Sequence, residues 1–161
     1  NPVSVSGTQR GGAAMGREIL LCVDDELLVL ESLRLELRPV LSDTGLALET
    51  ALSGEEALQI VRESIAAGER VVCAISDQKM PGMRGDEFLI ELRRLSPETL
   101  AVLLTGYADI AAVQNAINQA ELYRYLSKPW QTADLEMTIR SAAERFRLVR
   151  AVEEKTGRSS V

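Results

Sequence analysis

Four places in the 161-residue chain carry side chains that could act together on a charged group: the acidic pair Asp24-Asp25, an aspartate at Asp77, a hydroxyl at Thr105 and an ammonium at Lys128. Each follows a short apolar run. Ile19-Leu20-Leu21-Cys22-Val23 runs into Asp24-Asp25, and Val71-Val72-Cys73-Ala74-Ile75-Ser76 runs into Asp77. Ala101-Val102-Leu103-Leu104 runs into Thr105-Gly106, and Tyr123-Arg124-Tyr125-Leu126-Ser127 into Lys128-Pro129. Short apolar runs bounded by turn residues read as strands buried on both faces of a parallel sheet. In open α/β folds, ligands bind at the carboxyl ends of such strands. With the strands as parallel neighbours, three carboxylates, a hydroxyl and an ammonium converge on one patch. Crowded carboxylates repel one another and raise one another's pKa unless a cation neutralises them. An oxygen-only donor set suits a hard divalent ion, with Mg²⁺ the abundant candidate. Mg²⁺ takes one or two carboxylates together with a phosphate oxygen, and a carboxylate can serve as the nucleophile that becomes an aspartyl-phosphate. The metal and a lysine point charge would then offset charge on the equatorial phosphoryl oxygens.

The elements that must position these residues alternate along the chain. A strand is expected at about 18–23. A helix opens at Asp24-Asp25-Glu26, carries Leu27, Leu30, Leu33 and Leu37 at helical spacing, and stops before Pro39. A second strand fits 46–51. Ser53-Gly54-Glu55-Glu56 is a capping box opening a helix with Ala57, Ile60, Val61 and Ile65 on one face. The central strand 71–76 is followed by the Met80-Pro81-Gly82 turn and a helix marked by Phe88, Leu89, Leu92 and Leu95. After the strand 100–105, Asp109 reads as the N-cap of a helix carrying Ala112, Val113, Ala116 and Ile117. The strand 122–127 precedes a last helix starting near Thr132. Five strands alternating with five helices specify an α/β doubly wound parallel sheet with right-handed crossovers and helices on both faces.

Residues 1–16 are rich in Ser, Gly and Ala without periodicity and read as a disordered leader or a remnant of cloning. At the other end, Leu135, Ile139, Ala142, Phe146 and Val149 recur in steps of four and three, the seam of a two-helix packing. A helix continuous over 133–153 is longer than one domain face needs. Phe146, Val149 and Val152 are expected to project past the core, while Arg140, Arg145, Arg147 and Arg150 form a solvated face beside a Glu136–Arg140 pair. This divides the chain into a leader (1–16), one domain (17–145) and a C-terminal helix extension and tail (146–161).

Bulk properties narrow the classes. A net charge of −6 supplies no electrostatic footprint for nucleic acid, and no apolar run approaches the roughly 20 residues that span a bilayer. The absence of histidine excludes a His-based triad, a His-ligated metal and a phosphohistidine donor. Cys22 and Cys73 fall inside buried strands and read as core residues of a protein in a reducing, cytoplasmic compartment.

The order Asp24-Asp25, Asp77 with Met80-Pro81-Gly82 behind it, Thr105-Gly106 and Lys128-Pro129 resembles the receiver domain of two-component response regulators, over roughly residues 17–145. The resemblance, to chemotaxis-type receivers, implies a flavodoxin-like sheet of order 2-1-3-4-5. It implies that Asp77 is the phosphoacceptor, fed by a sensor histidine kinase or phosphotransfer protein. Asp24, Asp25 and Asp77 would bind Mg²⁺ with the backbone carbonyl of Lys79. Thr105 and Lys128 would contact the phosphoryl group, Tyr125 would be the switch aromatic, and the Lys128–Pro129 bond would be possible in cis. The 109–127 surface would then control a partner or an attached output domain, with a homodimer through the C-terminal helix as a further expectation. Such a domain is not an enzyme, although it takes part in its own phosphotransfer and dephosphorylation. Gln78, Lys79, Gly106 and Tyr107 border the site, where they could tune the phosphoryl lifetime. Two alternatives use the same residues. One is a phosphorylation-independent interaction module on the same fold. The other is a haloacid-dehalogenase-like phosphohydrolase, which has its nucleophile in an acid-x-acid pair after the first strand; here Asp24-Asp25 is followed by Glu26-Leu27, and no cap-sized insertion appears. Taken singly, Asp24-Asp25-Glu26 would be acids favoured by a helix N-terminus, Asp77 a turn residue and Lys128-Pro129 a strand exit.

Overall fold

A computed structural model describes residues 16–106 and 108–157. The chain alternates β1 (Glu18–Val23), α1 (Leu27–Glu36), α2 (Arg38–Thr44), β2 (Ala47–Ala51), α3 (Gly54–Ala66), β3 (Arg70–Asp77), α4 (Gly85–Leu95), β4 (Leu100–Thr105), α5 (Ile110–Ala120), β5 (Arg124–Ser127) and α6 (Thr132–Lys155). All strand pairs are parallel, in the order β2-β1-β3-β4-β5. The expected doubly wound sheet is therefore observed. The leader up to residue 15, Tyr107 and residues 158–161 lie outside the described residues.

The two faces of the sheet divide the core. Leu21, Val23, Val71, Ala74 and Leu103 face α3, α4 and α5, where Val61, Phe88, Leu92 and Ala116 meet them. Leu20, Cys22, Val72, Cys73, Ile75 and Leu104 face the other way, against Leu30, Leu33 and Val40 and against Leu135, Ile139 and Ala142 of α6. β3 lies at the centre, with Val71 to Ile75 all buried, and each such side chain contributes about 1.5–3 kcal/mol if it is Val or Ile. The outer strand β5 leaves Arg124, Tyr125 and Ser127 exposed.

Six helices, not five, occur among the described residues. The first helix ends at Glu36, before Pro39 as expected, but helix resumes at Arg38 and Pro39 sits in the first turn of α2, where a missing N–H costs nothing. Gly45 closes α2 with φ 77°. The apolar stripes are also narrower than their periodicity suggests: Leu27, Ile65 and Ile117 are exposed, while Leu30, Ala57, Val61, Val113 and Ala116 are buried. Ser53 caps α3 by accepting the Glu56 N–H (3.0 Å), and Glu56 Oε1 accepts from Leu52 N–H (2.8 Å) rather than from Ser53. Asp109 occupies the N-cap position of α5, yet its side chain does not cap the helix.

α6 runs for 24 residues, about 36 Å at 1.5 Å per residue. Its buried stripe extends one step beyond expectation: Phe146 lies in the core and does not project, as a member of the buried cluster on this face of the sheet. Projection begins at Leu148, Val149 and Val152, all exposed. Arg140, Arg145 and Arg147 are exposed, as expected, and Arg150 is half-buried. Arg140 pairs with Asp43 (3.0 Å), Arg147 with Glu18, and Arg150 lies over the Phe146 ring (5.7 Å).

The N-terminus of α4 is brought against the end of β3 by Gly85. Its N–H donates to the Gln78 carbonyl (2.9 Å), and a side chain there would overlap the Asp77 carbonyl oxygen and stand 3.0 Å from Gln78 Cα. The neighbouring atoms are backbone and cannot swing aside. Gly85→Ala is therefore expected to lower stability by about 1–3 kcal/mol, the usual cost of overpacking, read as a fall in the denaturant midpoint at unchanged slope. An unchanged midpoint would show that the loop has slack.

Candidate phosphorylation site

The parallel register carries each candidate residue to the same edge. Val23 pairs with Ser76, which sets Asp24 and Asp77 as the next residues outward on adjacent strands. Asp77 pairs with Leu104, and Thr105 with Ser127, so Thr105 and Lys128 emerge beside them. The Asp24 N–H donates to the Ala51 carbonyl (3.1 Å) and the Lys128 N–H to the Thr105 carbonyl (2.8 Å), continuing the sheet's bonding one residue past the strands.

One carboxylate oxygen from each of Asp24, Asp25 and Asp77 lies within 4.8 Å of the others. Asp24 and Asp77 are buried, and Asp25 is exposed. Asp24 Oδ1 accepts the Glu26 N–H (2.8 Å), which shapes the turn into α1. The Lys128 ammonium pairs with Asp77 Oδ1 across the sheet edge, and the Lys128–Pro129 peptide is cis. Burial holds the Asp24 carboxyl above its ordinary pKa; the Glu26 N–H and Lys128 oppose this, while Asp77 and Asp25 reinforce it. A cleft of about 360 Å³ opens beside these groups, lined by Asp77, Gln78, Lys79, Thr105, Asp109 and Lys128.

Thr105 is at the expected place with an unexpected partner. Its hydroxyl donates to Asp109 Oδ2 (3.0 Å), which also accepts the Gly106 N–H (3.3 Å). Tyr125 is 48% exposed and borders a groove of about 410 Å³ shared with Thr105, Ile110, Val113 and Ile117. Tyr107 lies outside the described residues.

Sequence reasoning missed a polar support beneath the cleft. Gln78, next to Asp77, is buried; its Nε2 donates to Asp86 Oδ1 (2.8 Å) and its Oε1 accepts the Asp86 N–H (2.9 Å). Asp86 also accepts from Arg84 Nε (3.1 Å) and from Asn115 Nδ2 on α5 (2.9 Å). Burial works against the Asp86 charge, but the bonds from Arg84, Asn115 and Gln78 outweigh it and hold the carboxyl below its ordinary pKa. The available signal was a Gly-Asp pair at the start of a helix, which reads only as an acid near a helix dipole.

This arrangement has clear relatives. A family model described as the response regulator receiver domain matches residues 20–140. The hydrogenase transcriptional regulatory protein HoxA of Bradyrhizobium diazoefficiens is 32% identical over 134 residues, covering 83% of this chain and 26% of that protein. HoxA of Cupriavidus necator is 34% identical over 125 residues, covering 78% and 24%. Among solved structures, the signal receiver domain of an HD domain-containing protein from Pseudomonas fluorescens Pf-5 superposes with a TM-score of 0.68 at 33% identity, over 82% of this chain and 98% of that one. The chain spans about a quarter of the length of the two curated relatives. Strand order, the acidic edge and these matches together make the chain a member of the response regulator receiver domain family, the signalling switches of two-component systems.

Proposed function

We propose that Asp77 accepts a phosphoryl group from a histidine-kinase or phosphotransfer donor, and that Asp24, Asp25, Asp77 and the Lys79 backbone carbonyl hold the Mg²⁺ this requires. The observation that carries the reading is three carboxylate oxygens within 4.8 Å of one another beside a single paired lysine, Lys128. Such a cluster suits a hard divalent cation because its donors are all oxygen and Asp24, one of its two buried members, resists ionisation without added positive charge. When bound, the ion would neutralise charge on the incoming phosphoryl oxygens. The chain's own residues do the rest. Asp77 Oδ attacks phosphorus in line, Lys128 turns its ammonium from the carboxylate toward the phosphoryl oxygens, and the donor departs with the electron pair of the broken bond. Thr105 then donates its hydroxyl to the phosphoryl group. Tyr125 moves into the groove beside it, altering the surface of α5 and β5 that a partner or output domain reads. The domain is a signalling acceptor and not a turnover enzyme, though it acts in its own dephosphorylation.

The domain proper extends from residue 17 through the buried Phe146, one residue beyond the expected boundary at 145, with the residues after it serving as an extension. Two buried, unpaired cysteines, with Cys22 pushed up to about 12 by burial, fit a reducing cytoplasm. No helix among the described residues is long and apolar enough to cross a membrane. Leu148, Val149 and Val152 form one exposed apolar strip on the last turns of α6, fit for a contact between two copies or for a linker to an output domain.

Three outcomes test this reading. Treatment with acetyl phosphate and Mg²⁺ should add one phosphoryl mass to the wild type and none to Asp77→Asn, and chelation should abolish the gain. Labelling of Asp77→Asn to the wild-type extent would remove Asp77 from the role. The second outcome concerns Asp24. A carboxyl whose folded pKa is raised withholds stability above that pKa and returns it as pH falls through it. Metal-free Asp24→Asn, which keeps the acceptor for Glu26 N–H, should melt a few degrees above wild type at neutral pH, with the gap closing as pH enters the carboxylate range. A pH-independent gap would point to packing instead. Third, sedimentation should show self-association that Val149→Glu with Val152→Glu abolishes; a wild type that stays monomeric at high concentration, with and without phosphoryl mimic, leaves only the linker role.

A further inference from the structure

The Thr105 hydroxyl carries one proton, and its nearer acceptor is Asp109 Oδ2 at 3.0 Å, with the Gly106 carbonyl at 3.3 Å. It cannot serve a phosphoryl oxygen at the same time. Asp109 also stands at the N-cap position of α5, but no side chain caps that helix, so the first amides of α5, those of Ile110, Ala111 and Ala112, lack the side-chain acceptor that a helix start normally recruits. The backbone makes the two tasks exclusive. Asp109 sits at φ −103°, ψ 34°, outside the extended region from which an N-cap carboxylate reaches the second or third helical N–H. By contrast Ser53, whose side chain does cap α3, sits at φ −156°, ψ 163°.

From this geometry we propose that Asp109 is a positioning residue with two alternative sets of donors. In the resting domain it latches Thr105 and Gly106. When the phosphoryl group takes the Thr105 hydroxyl, the released carboxylate rotates into the extended region and caps α5 at Ala111 or Ala112. The inference rests on the phosphoacceptor reading of Asp77 and adds a route by which loss of one hydrogen bond at the cleft resets the start of the helix that borders the Tyr125 groove. The switch does not leave a carboxylate stranded in either state. Each state satisfies a group the other leaves open, so the energy difference between them stays small enough for a phosphoryl group to reverse.

Amide hydrogen exchange by NMR, with Mg²⁺ and beryllofluoride as the phosphoryl mimic, tests this directly. On binding, the wild-type Ala111 or Ala112 amide should slow by about five-fold, equivalent to ~1 kcal/mol at 1.4 kcal/mol per tenfold. Asp109→Ala should bind the mimic without that slowing. Asp109→Ser, whose hydroxyl can cap but carries no charge for Thr105, should keep the slowing and bind the mimic about five-fold more tightly than wild type, by the same conversion. If wild-type Asp77 and Thr105 signals report bound mimic while both amides exchange unchanged, or if Asp109→Ala gains the same protection, the second role is overturned. Equal affinity in wild type and Asp109→Ser overturns the latch. Failure of wild type to bind the mimic at all overturns the phosphoacceptor reading, and this inference with it.

Discussion

Three carboxylates within 4.8 Å of one another, two of them buried, are an arrangement that a chain does not adopt for its own stability. Like charges at that spacing repel, and burial strips away the water that would screen them. The sheet imposes the crowding. Parallel strands deliver every carboxyl end to one edge, and β1 and β3 are neighbours, so the residues following Val23 and Ser76 have nowhere else to go. The large apolar investment on both faces of β3 holds that edge in place against the repulsion. Lys128 relieves part of it by pairing with Asp77, and the remainder is repulsion that added positive charge would offset.

The floor of the cleft is stiffened by devices that carry no formal role in phosphoryl chemistry. Gly85 lets the start of α4 touch the Asp77–Gln78 backbone. Gln78 and Asp86 exchange two hydrogen bonds, and Asn115 extends the group to α5. Buried polar groups that satisfy one another specify a single geometry, because any slip leaves a donor or acceptor unpaired. Asp77 is thus tied to two helices through its immediate neighbour as well as through the strand it ends.

Much of this was legible in the residues. Strand ends, helix order, the capping serine and the acidic edge all follow from local rules that agree with one another. What escaped has physical causes. Asp109 obeys the N-cap rule by position, but its carboxylate found two donors behind it, and propensity does not see competition between partners. Leu27, Ile65 and Ile117 lie on helical periods, yet the sheet is too narrow to cover them. Periodicity alone gives no length for the core beneath α6, so the burial of Phe146 is not readable from its spacing; the core reaches one turn past Ala142. The pairing of Gln78 with Asp86 spans eight residues through a turn, a distance at which no local pattern operates.

The far end of α6 has a different standing from the rest of that helix. Up to Phe146 its turns are held by the core and by ionic ties to Asp43 and Glu18, whereas residues 148, 149 and 152 face water. A stretch of fewer than about 12 residues is only marginally helical in water on its own. The terminal turns therefore stand as the continuation of an anchored rod and draw their stability from the turns before them. Apolar surface laid against residues 148, 149 and 152 would add to the hold on these turns, whereas the turns up to Phe146 already have theirs from the core.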